Sequence, residues 1–484
     1  MTQRIKFGTD GWRGVMCDDF TNQTVAYAAQ GIADYMASRS RDPLAVIGYD
    51  CRFASEVFAQ LVAEVLAANG VPSLLFDRPT PTQVASWTVI DQHATGAAVI
   101  TASHNPWLFN GVKYKPETGS SAPTEVIAAL EDRINDIAIA GPAAVKRISP
   151  GTYSDHPLIR AYDPKPAYYE QVAKMLDLPA LRGAGLKILH ENMYGAGFDY
   201  IKELLGGAST AVTELHAERN PYFGGVSPEP IPQNLAGSLA RMGEGGFDLC
   251  ICTDGDADRV GIIDETGRFI TQLQVYALLM VYLFEVRGWR GPVVKTINMT
   301  SMADKLAAQF GVDVYELPVG FKNVAPKMME TDALLGGEES GGFGFKGHIP
   351  ERDGVLAGLF FADMIMRTGK PLGQLLADLE ARVGPHAYAR HDIHFNREAF
   401  AAERERILTA LADHTPTEVA GERVVNVRAD DGYKFFLADG SWVLVRLSGT
   451  EPLMRVYAEA SDAEKVEGRL LAMEDLVGVG RVVA

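Results

Sequence analysis

The chain has 484 residues, of which 47% are hydrophobic and 22% are charged, and its formal net charge is −17. This composition is typical of a folded globular protein, and the length exceeds what one hydrophobic core usually organises. The acidic balance, without a run of Lys and Arg, argues against a nucleic-acid partner. The opening stretch "MTQRIKFGTDGWRG" contains no apolar segment that would predict secretion, and the longest apolar run, residues 275–284, is expected to be too short to span a membrane. We therefore expect a cytoplasmic protein with no membrane partner.

Three segments of the chain repeat one plan. Each has a strand, a helix, a second strand and a closing strand that runs into a Gly- or Asp-rich loop. They open at residues 44–50, 186–197 and 292–302, and they close at residues 96–106, 247–259 and 333–342. This alternation predicts α/β units with largely parallel sheets. Because loops at the carboxyl ends of such strands bind ligands, the three loops are expected to face one cleft.

The last hundred residues differ from these units. Residues 422–460 alternate between apolar and polar side chains, with an "ADG" turn at 438–440, and a helix is predicted from about Asp462. This pattern indicates an antiparallel sheet in a smaller α+β domain. The predicted domains are therefore residues 1–150, 160–265, 266–383 and 390–484.

The stretch "ITASHNP", residues 100–106, follows the closing strand of the first segment and contains Ser103. The serine could lie in an ordinary turn, act as a hydrolase nucleophile or carry a transferred group. On an extended chain the side chains of Ser103 and His104 point to opposite faces, and no G-x-S-x-G elbow surrounds the serine. Both observations argue against a Ser–His hydrolase pair.

The stretch "DGDADR" places Asp254, Asp256 and Asp258 within five residues. Carboxylates this close repel one another unless a cation lies among them, and their oxygens suit Mg²⁺ or Ca²⁺. An EF-hand is excluded because Arg259 stands where its loop needs glycine and because a strand precedes the loop. A solvated acidic turn is the alternative. An open site of few carboxylates is typical of Mg²⁺ that also binds a phosphate.

The stretch "GGEESGG", residues 336–342, places Glu338 and Ser340 among glycines. A carboxylate and a small polar group suit the neighbouring hydroxyls of a sugar. A flexible loop is the alternative interpretation.

The stretch "RLSGTEP", residues 446–452, combines a planar guanidinium, hydroxyls and exposed backbone N–H groups. Such groups can form a cup for phosphate, although a β-turn would account for the same residues. The candidates are Arg446, Ser448, Gly449 and Thr450.

Two single cations, Arg13 in "TDGWRG" and Lys113 in "NGVKYK", are either surface charges or clamps on a phosphate. A serine together with a three-carboxylate metal loop and a phosphate cup indicates phosphoryl transfer. In that interpretation Ser103 carries the phosphate, and the phosphate completes the Mg²⁺ shell.

These four loops, in this order, resemble those of the α-D-phosphohexomutase superfamily. The stretches "FGTDGWRG" and "GHIPERDG" resemble its bacterial phosphoglucomutase/phosphomannomutase type. The resemblance implies three related α/β/α domains around a central cleft and a C-terminal α+β domain of TBP-like fold. It implies an isomerase that is a monomer or homodimer and uses one Mg²⁺ ion and a glucose 1,6-bisphosphate intermediate. Its partners would be hexose phosphates, with glucose 1-phosphate and glucose 6-phosphate preferred and mannose phosphates as the alternative.

The resemblance also implies roles for individual residues. Ser103 would be the phosphoserine and would bind Mg²⁺ together with Asp254, Asp256 and Asp258. Lys113 is the candidate general acid or base. The other implied residues are Arg13, His104 and Arg259 near the transferring phosphate, Glu338 and Ser340 on sugar O3 and O4, Arg446, Ser448, Gly449 and Thr450 on the second phosphate, and Lys295, Gly320 and Lys322 elsewhere in the cleft.

The chain departs from some family patterns. Many mannose-type members have a histidine where this chain has Gly342. The glucosamine branch typically reads "GEQSGH" and then "TGDG", whereas this chain reads "GEESGG" and then "ERDG" at residues 351–354. These differences disfavour a glucosamine substrate. A metal-dependent sugar phosphatase and a non-catalytic sugar-phosphate binding protein are the remaining alternatives.

Overall fold

The computed structural model describes residues 4–8, 10–396, 398–413, 415–448 and 452–479. These residues form four sheets that follow one another along the chain. The first three belong to α/β units, and the fourth is antiparallel. The predicted fold class is therefore confirmed.

The first unit has a six-stranded sheet in the order β1-β5-β4-β2-β3-β6. Its central strands β2 and β4 are buried along their whole length, as their nearly continuous apolar sequences require. The elements are β1 (Trp12–Val15), α1 (Asn22–Arg39), β2 (Ala45–Tyr49), α2 (Ser55–Ala68), β3 (Ser73–Phe76), α3 (Thr82–Asp91), β4 (Gly96–Ile100), β5 (Phe109–Pro116), α4 (Thr124–Ala140) and β6 (Ile159–Tyr162).

The second unit has a five-stranded sheet in the order β11-β10-β9-β7-β8, with β9 fully buried at its centre. Its elements are α5 (Lys165–Met175), α6 (Leu178–Gly183), β7 (Lys187–Glu191), α7 (Tyr200–Leu205), β8 (Ala211–Leu215), α8 (Ala236–Gly243), β9 (Leu249–Thr253), β10 (Val260–Asp264) and β11 (Phe269–Ile270).

The third unit has a four-stranded sheet in the order β13-β12-β14-β15. Its elements are α9 (Gln272–Val281), β12 (Val293–Thr296), α10 (Met302–Phe310), β13 (Val314–Leu317), α11 (Phe321–Thr331), β14 (Leu335–Gly337), β15 (Phe343–Phe345), α12 (Gly354–Thr368) and α13 (Leu372–Val383). Helix α12 packs against β9 of the second unit, and one apolar core runs through both units. Its first turn is capped by the Asp353 side chain, which accepts from the Leu356 N–H.

The sheets contain the parallel strands that the sequence predicts, but every one of the three is mixed. In each unit the strand after the ligand loop returns antiparallel, as the pairs β4–β5, β9–β10 and β14–β15 show. A short loop between neighbouring strands forces this reversal, since a parallel return needs a long crossover. The loops with Ser103, Asp254 and Glu338 therefore occupy the same position in the three units.

The fourth unit has an antiparallel sheet in the order β16-β21-β20-β19-β18-β17. Helix α15 is capped by the Asp462 side chain, as the predicted helix start requires. Its elements are β16 (Ala387–His394), α14 (Phe400–Asp413), β17 (Glu418–Val419), β18 (Glu422–Arg428), β19 (Tyr433–Leu437), β20 (Trp442–Leu447), β21 (Leu453–Ala460) and α15 (Ala463–Leu476).

The sheets also locate the borders between units. Strand β6 pairs with β3, so the first sheet extends to Tyr162, beyond the predicted border at residue 150. Strand β16 begins at Ala387, ahead of the predicted start at residue 390. No described helix is both long and apolar enough to cross a membrane.

Candidate active site

Ser103 lies where strand β4 ends and has the positive backbone φ of 51°, which is uncommon for a residue other than glycine. Its backbone N–H donates to the Thr101 hydroxyl at 2.9 Å. Its own hydroxyl is buried and donates to Oδ2 of Asp254 at 2.7 Å. The loop thus presents the serine oxygen directly to the three-carboxylate loop of the second unit.

The expectation that Ser103 and His104 point apart is wrong, because it assumed an extended chain. The positive φ at Ser103 turns the backbone, and the His104 Nδ1 lies 3.5 Å from the serine oxygen. Burial, and then the charges of Arg259 and Arg13, hold the pKa of His104 well below its usual range. A hydroxyl has a single proton to donate, and Ser103 donates it to Asp254 at the shorter distance. A Ser–His hydrolase pair is therefore not formed.

Arg52 supports the serine loop, residues 100–106, although no sequence motif pointed to it. The side chain is fully buried and pairs with Asp50, whose Oδ2 lies 3.1 Å from the Arg52 Nε. Its guanidinium donates to four backbone carbonyls of the loop, those of Ser103, Asn105, Pro106 and Phe109. The signal in the sequence was an acid and a base in "YDCR", directly after the buried strand β2.

The three aspartates of "DGDADR" are fully buried, and they offer carboxylate oxygens that all lie within 4.8 Å of one another. Burial, together with the charges of Asp256 and Asp258, raises the pKa of Asp254 well above its ordinary value. The Oδ1 atoms of Asp256 and Asp258 have no hydrogen-bond partner among the described residues. Buried, unpaired carboxylate oxygens of this kind fit a hard divalent cation such as Mg²⁺.

Gly255 allows the serine loop to contact the metal loop, residues 254–259. A Cβ atom at this position would lie 2.5 Å from the Ser103 carbonyl oxygen, which no side chain tolerates. Helix α3 of the first unit also meets the metal loop, because the Thr82 hydroxyl donates to Oδ2 of Asp256 at 2.6 Å. The first and second units therefore build this part of the site together.

Lys113 lies on strand β5 and is buried among three carboxylates. Its Nζ is 2.8 Å from Oδ2 of Asp10, of Asp256 and of Asp258. Burial alone would lower the pKa of Lys113, but these three charges outweigh it and raise the pKa well above the ordinary value. The ammonium group therefore stays charged and holds the Oδ2 atoms. Asp10 was missed in "TDGWRG", where only Arg13 was singled out.

Arg13 and Arg259 carry the other positive charges near Ser103. Arg13 donates to the Asn105 side chain at 2.6 Å, and Arg259 lies 3.5 Å from Glu229. Burial, and then repulsion from the charge of Arg259, lowers the pKa of Arg13. A phosphate between two such groups would relieve this repulsion.

Glu338 of the third unit is buried, with 5% of its surface exposed. Burial raises its pKa, although Arg352 opposes this effect from 3.2 Å. The backbone around it forms a tight turn, in which the Glu338 N–H donates to the Gly342 carbonyl. Ser340 lies at the tip of this turn and is partly exposed. No sequence motif pointed to Arg352.

The fourth unit contributes two arginines that are paired across strands β20 and β21, Arg446 and Arg455. Arg446 is held by Asp431, with its Nε 3.0 Å from both carboxylate oxygens. Arg455 adds to the positive field that lowers the pKa of His104. Ser448 is partly exposed at the end of β20, and the predicted residues Gly449 and Thr450 lie outside the described residues.

Three further predicted residues lie away from the serine and the metal loop. Lys295 is buried, where its Nζ donates to the Thr300 carbonyl and contacts Asp304 and Glu316. Gly320 has a φ of 121° and precedes helix α11. Lys322 follows in the first turn of that helix and is partly exposed.

Models of the phosphoglucomutase/phosphomannomutase alpha/beta/alpha domains I, II and III match residues 4–140, 166–267 and 272–383. The corresponding C-terminal domain matches residues 397–476. The chain belongs to the phosphoglucomutase/phosphomannomutase family. As a member of this family it is a phosphohexomutase, a Mg²⁺-dependent isomerase.

Relatives within the phosphoglucomutase/phosphomannomutase family match almost the whole chain. The phosphoglucomutase of Komagataeibacter xylinus is 30% identical over 493 residues, which cover 95% of this chain and 88% of that protein. The phosphoglucomutase/phosphomannomutase of Thermococcus kodakarensis is 28% identical over 460 residues, 95% of each chain. A crystal structure assigned to a phosphomannomutase from Thermus thermophilus is 34% identical, with a TM-score of 0.85 over 99% of this chain and 100% of that one. Other relatives of similar identity are named phosphoglucosamine mutases, so the family does not define the sugar.

Proposed function

We propose that this phosphohexomutase interconverts α-D-glucose 1-phosphate and glucose 6-phosphate and turns over mannose phosphates more slowly. The observation that carries the proposal is the Ser103 hydroxyl, 2.7 Å from a buried cluster of three carboxylates with two unpaired oxygens. That arrangement supports a serine that exchanges phosphate next to a cation.

The reaction would consist of two phosphoryl transfers. In the first, the bond between the phosphate and the Ser103 oxygen breaks as the phosphate joins O6 of glucose 1-phosphate; O6 loses its proton and the Ser103 oxygen takes one up. The 1,6-bisphosphate then turns around in the cleft. In the second, the phosphate on C1 passes to the Ser103 oxygen, which loses its proton; O1 takes one up, and glucose 6-phosphate leaves.

Mg²⁺ would be held by Asp254, Asp256 and Asp258 and would supply positive charge to the transferring phosphoryl group. The chain's own residues do the positioning. Arg13 and Arg259 would stabilise the equatorial oxygens, since phosphoryl transfer is catalysed mainly by position and charge. Lys113 keeps Asp256 and Asp258 oriented by their Oδ2 atoms. Its raised pKa favours this role over the general acid or base role that the resemblance implies.

The second phosphate would be bound by the fourth unit. Arg446, aligned by Asp431 at 3.0 Å, offers a fork of donors, and Ser448, Gly449 and Thr450 would supply hydroxyl and backbone donors.

Glu338 and Ser340 would hold O3 and O4 of the sugar, which lie between the ends that exchange when the intermediate turns. Glucose and mannose differ at C2, which moves when the ring turns around. A site built on O3 and O4 therefore distinguishes them weakly, by about 1–3 kcal/mol.

The test is a comparison of kcat/KM for glucose 1-phosphate, mannose 1-phosphate and glucosamine 1-phosphate. We expect glucose 1-phosphate to be the best substrate, with mannose 1-phosphate about ten- to two-hundred-fold slower. A preference for glucosamine 1-phosphate would contradict the proposed substrate. Release of inorganic phosphate at the rate of turnover would contradict the mutase reaction itself.

A further inference from the structure

Gly342 and Arg352 share one space in the third unit. A Cβ atom at position 342 would lie 2.2 Å from Cδ of Arg352 and 2.7 Å from its Cγ. Gly342 has no positive φ, in contrast to Gly341 with a φ of 90°, so the backbone conformation does not demand glycine here. The absence of a side chain at residue 342 instead leaves room for the stem of Arg352.

The guanidinium of Arg352 joins the three α/β units at the site. Its Nη2 contacts Asp10 of the first unit and lies 2.8 Å from Oδ2 of Asp258 of the second. Its Nη1 lies 3.2 Å from Glu338 of the third unit, and its Nε lies 3.3 Å from Glu351. The side chain is 5% exposed, so these carboxylates rather than water solvate its charge.

This arrangement fixes the position of the sugar loop, residues 336–342, relative to the metal loop. The two terminal nitrogens of a planar guanidinium have a fixed separation, which the point charge of a lysine cannot reproduce. Because Nη2 contacts Asp258 and Nη1 contacts Glu338, the guanidinium holds these two carboxylates at a fixed distance from each other. Arg352 also forms an ion pair with Oδ2 of Asp258, while Oδ1 of Asp258 has no hydrogen-bond partner among the described residues.

We propose that Arg352 is a positioning residue that sets Glu338 against Asp258, and that Gly342 is required because it admits Arg352. The proposal rests on the proposed function, in which Glu338 binds the sugar and Asp258 the cation. Residues that orient a metal ligand typically change metal affinity or activity by about ten- to a hundred-fold when they are removed.

The test is a double-mutant cycle of Gly342→Ala and Arg352→Ala, with kcat, KM and calorimetric Mg²⁺ affinity as readouts. Each single variant should raise KM for glucose 1-phosphate and weaken Mg²⁺ binding. The two effects together should amount to about ten- to a hundred-fold. In the Arg352→Ala background, Gly342→Ala should change neither quantity by more than about two-fold, because its steric conflict is gone. Arg352→Lys should not restore the wild-type values.

The chain offers a matched control and reasons to expect folded variants. Gly237 in helix α8 has no positive φ and no atom within 4 Å of its would-be Cβ, so Gly237→Ala should leave both readouts unchanged. In Arg352→Ala, Asp10 and Asp258 keep Lys113 as a partner, and Glu351 keeps Lys115. If Arg352→Ala nevertheless fails to fold, Gly342→Ala with wild-type KM and Mg²⁺ affinity would overturn the proposal.

Equal losses from Gly342→Ala in both backgrounds would also overturn it, as would full activity of Arg352→Lys. A different result would contradict the proposed function, namely wild-type protein that has no mutase activity on any hexose phosphate. In that case the Mg²⁺ affinities of the four proteins in the double-mutant cycle would still show whether Gly342 and Arg352 act together on Asp258.

Discussion

The Arg52 side chain donates from its Nη2 to the backbone carbonyl of Ser103, so a buried cation lies beneath the residue proposed to carry phosphate. Arg52 is itself neutralised by Asp50, which also accepts from the Thr101 hydroxyl at 2.7 Å. The serine conformation therefore depends on a buried ion pair beneath the loop.

Replacing Arg52 by leucine should destabilise the first unit. It would leave Asp50 without its cationic partner and several carbonyls of the serine loop without a donor, which typically costs about 3–5 kcal/mol. Chemical denaturation that follows the unfolding transition of the first unit measures this loss. As a control, Arg78→Leu removes a partly exposed pair with Asp77 and should cost at most about 1 kcal/mol. Equal effects of both substitutions would contradict the role assigned to Arg52.

Replacing Asp256 by asparagine should weaken Mg²⁺ binding by at least about ten-fold, because one of three buried carboxylate charges is lost. The Thr82 hydroxyl can still donate to the amide oxygen, so the fold should persist. Calorimetry with Mg²⁺ alone measures the affinity. Asp378→Asn on helix α13, where the carboxylate is exposed, should leave the affinity unchanged. An unaltered affinity in Asp256→Asn would place the cation elsewhere.

The order of the four loops was predictable from the sequence because each lies at the end of an apolar strand and contains residues with chemistry of their own. The buried partners were not predictable in the same way. Asp10 and Arg352 are separated by 342 positions along the chain, and only the packing of the first and third units brings them together. A periodicity argument contains no information on such contacts.

Local backbone structure accounts for the other differences between the sequence-based predictions and the structure. The direction of His104 was predicted from an extended backbone, whereas the φ of 51° at Ser103 turns the ring toward the serine oxygen. Lys113 was interpreted as either a surface charge or a clamp on a phosphate, whereas it is buried on strand β5, the antiparallel return strand of the first sheet. The predicted border at residue 390 falls within the edge strand β16, which has little apolar alternation to mark where it begins.

Replacing Glu338 by alanine should lower kcat/KM for glucose 1-phosphate and mannose 1-phosphate by similar factors. Each loss should be about ten- to a hundred-fold, the range expected when charged hydrogen bonds to hydroxyl groups are removed. Parallel assays of both sugars measure the ratio, and Glu330→Ala, an exposed change on helix α11 of the same unit, is the control. If one activity disappeared and the other survived, Glu338 would be contacting C2 rather than O3 and O4.

Lys434, which joins the fourth unit to the third, should make the free energy of unfolding depend on pH. It is buried against the third unit, where its Nζ donates to the Ile297 carbonyl at 2.6 Å and to Glu316 at 2.9 Å. Burial, and then the charge of Lys295, lowers the pKa of Lys434 from 10.5 to about 8. Between these values the unfolded chain binds the proton that the folded chain has lost, so stability from this group rises with pH.

The comparison is between the wild type and Lys434→Met from pH 7.5 to 10.5. The free energy of unfolding of the wild type, relative to the variant, should increase by about 3 kcal/mol as the pH rises through this window. Taking the difference between the two proteins removes the titration of the shared groups that do not interact with Lys434. A difference that stays constant, or that falls with rising pH, would contradict the assigned pKa.

The central claim is that Ser103 carries phosphate that passes to and from the sugar. The most direct measurement is to incubate the protein with ³²P-labelled glucose 1,6-bisphosphate, map the label by peptide analysis and then add unlabelled glucose 1-phosphate. We predict that the label enters Ser103 alone and leaves it only as hexose phosphate. Ser103→Ala should take up no label and should lose nearly all mutase activity. Label that never enters Ser103, label that leaves it as inorganic phosphate, or a fully active Ser103→Ala protein would contradict the account.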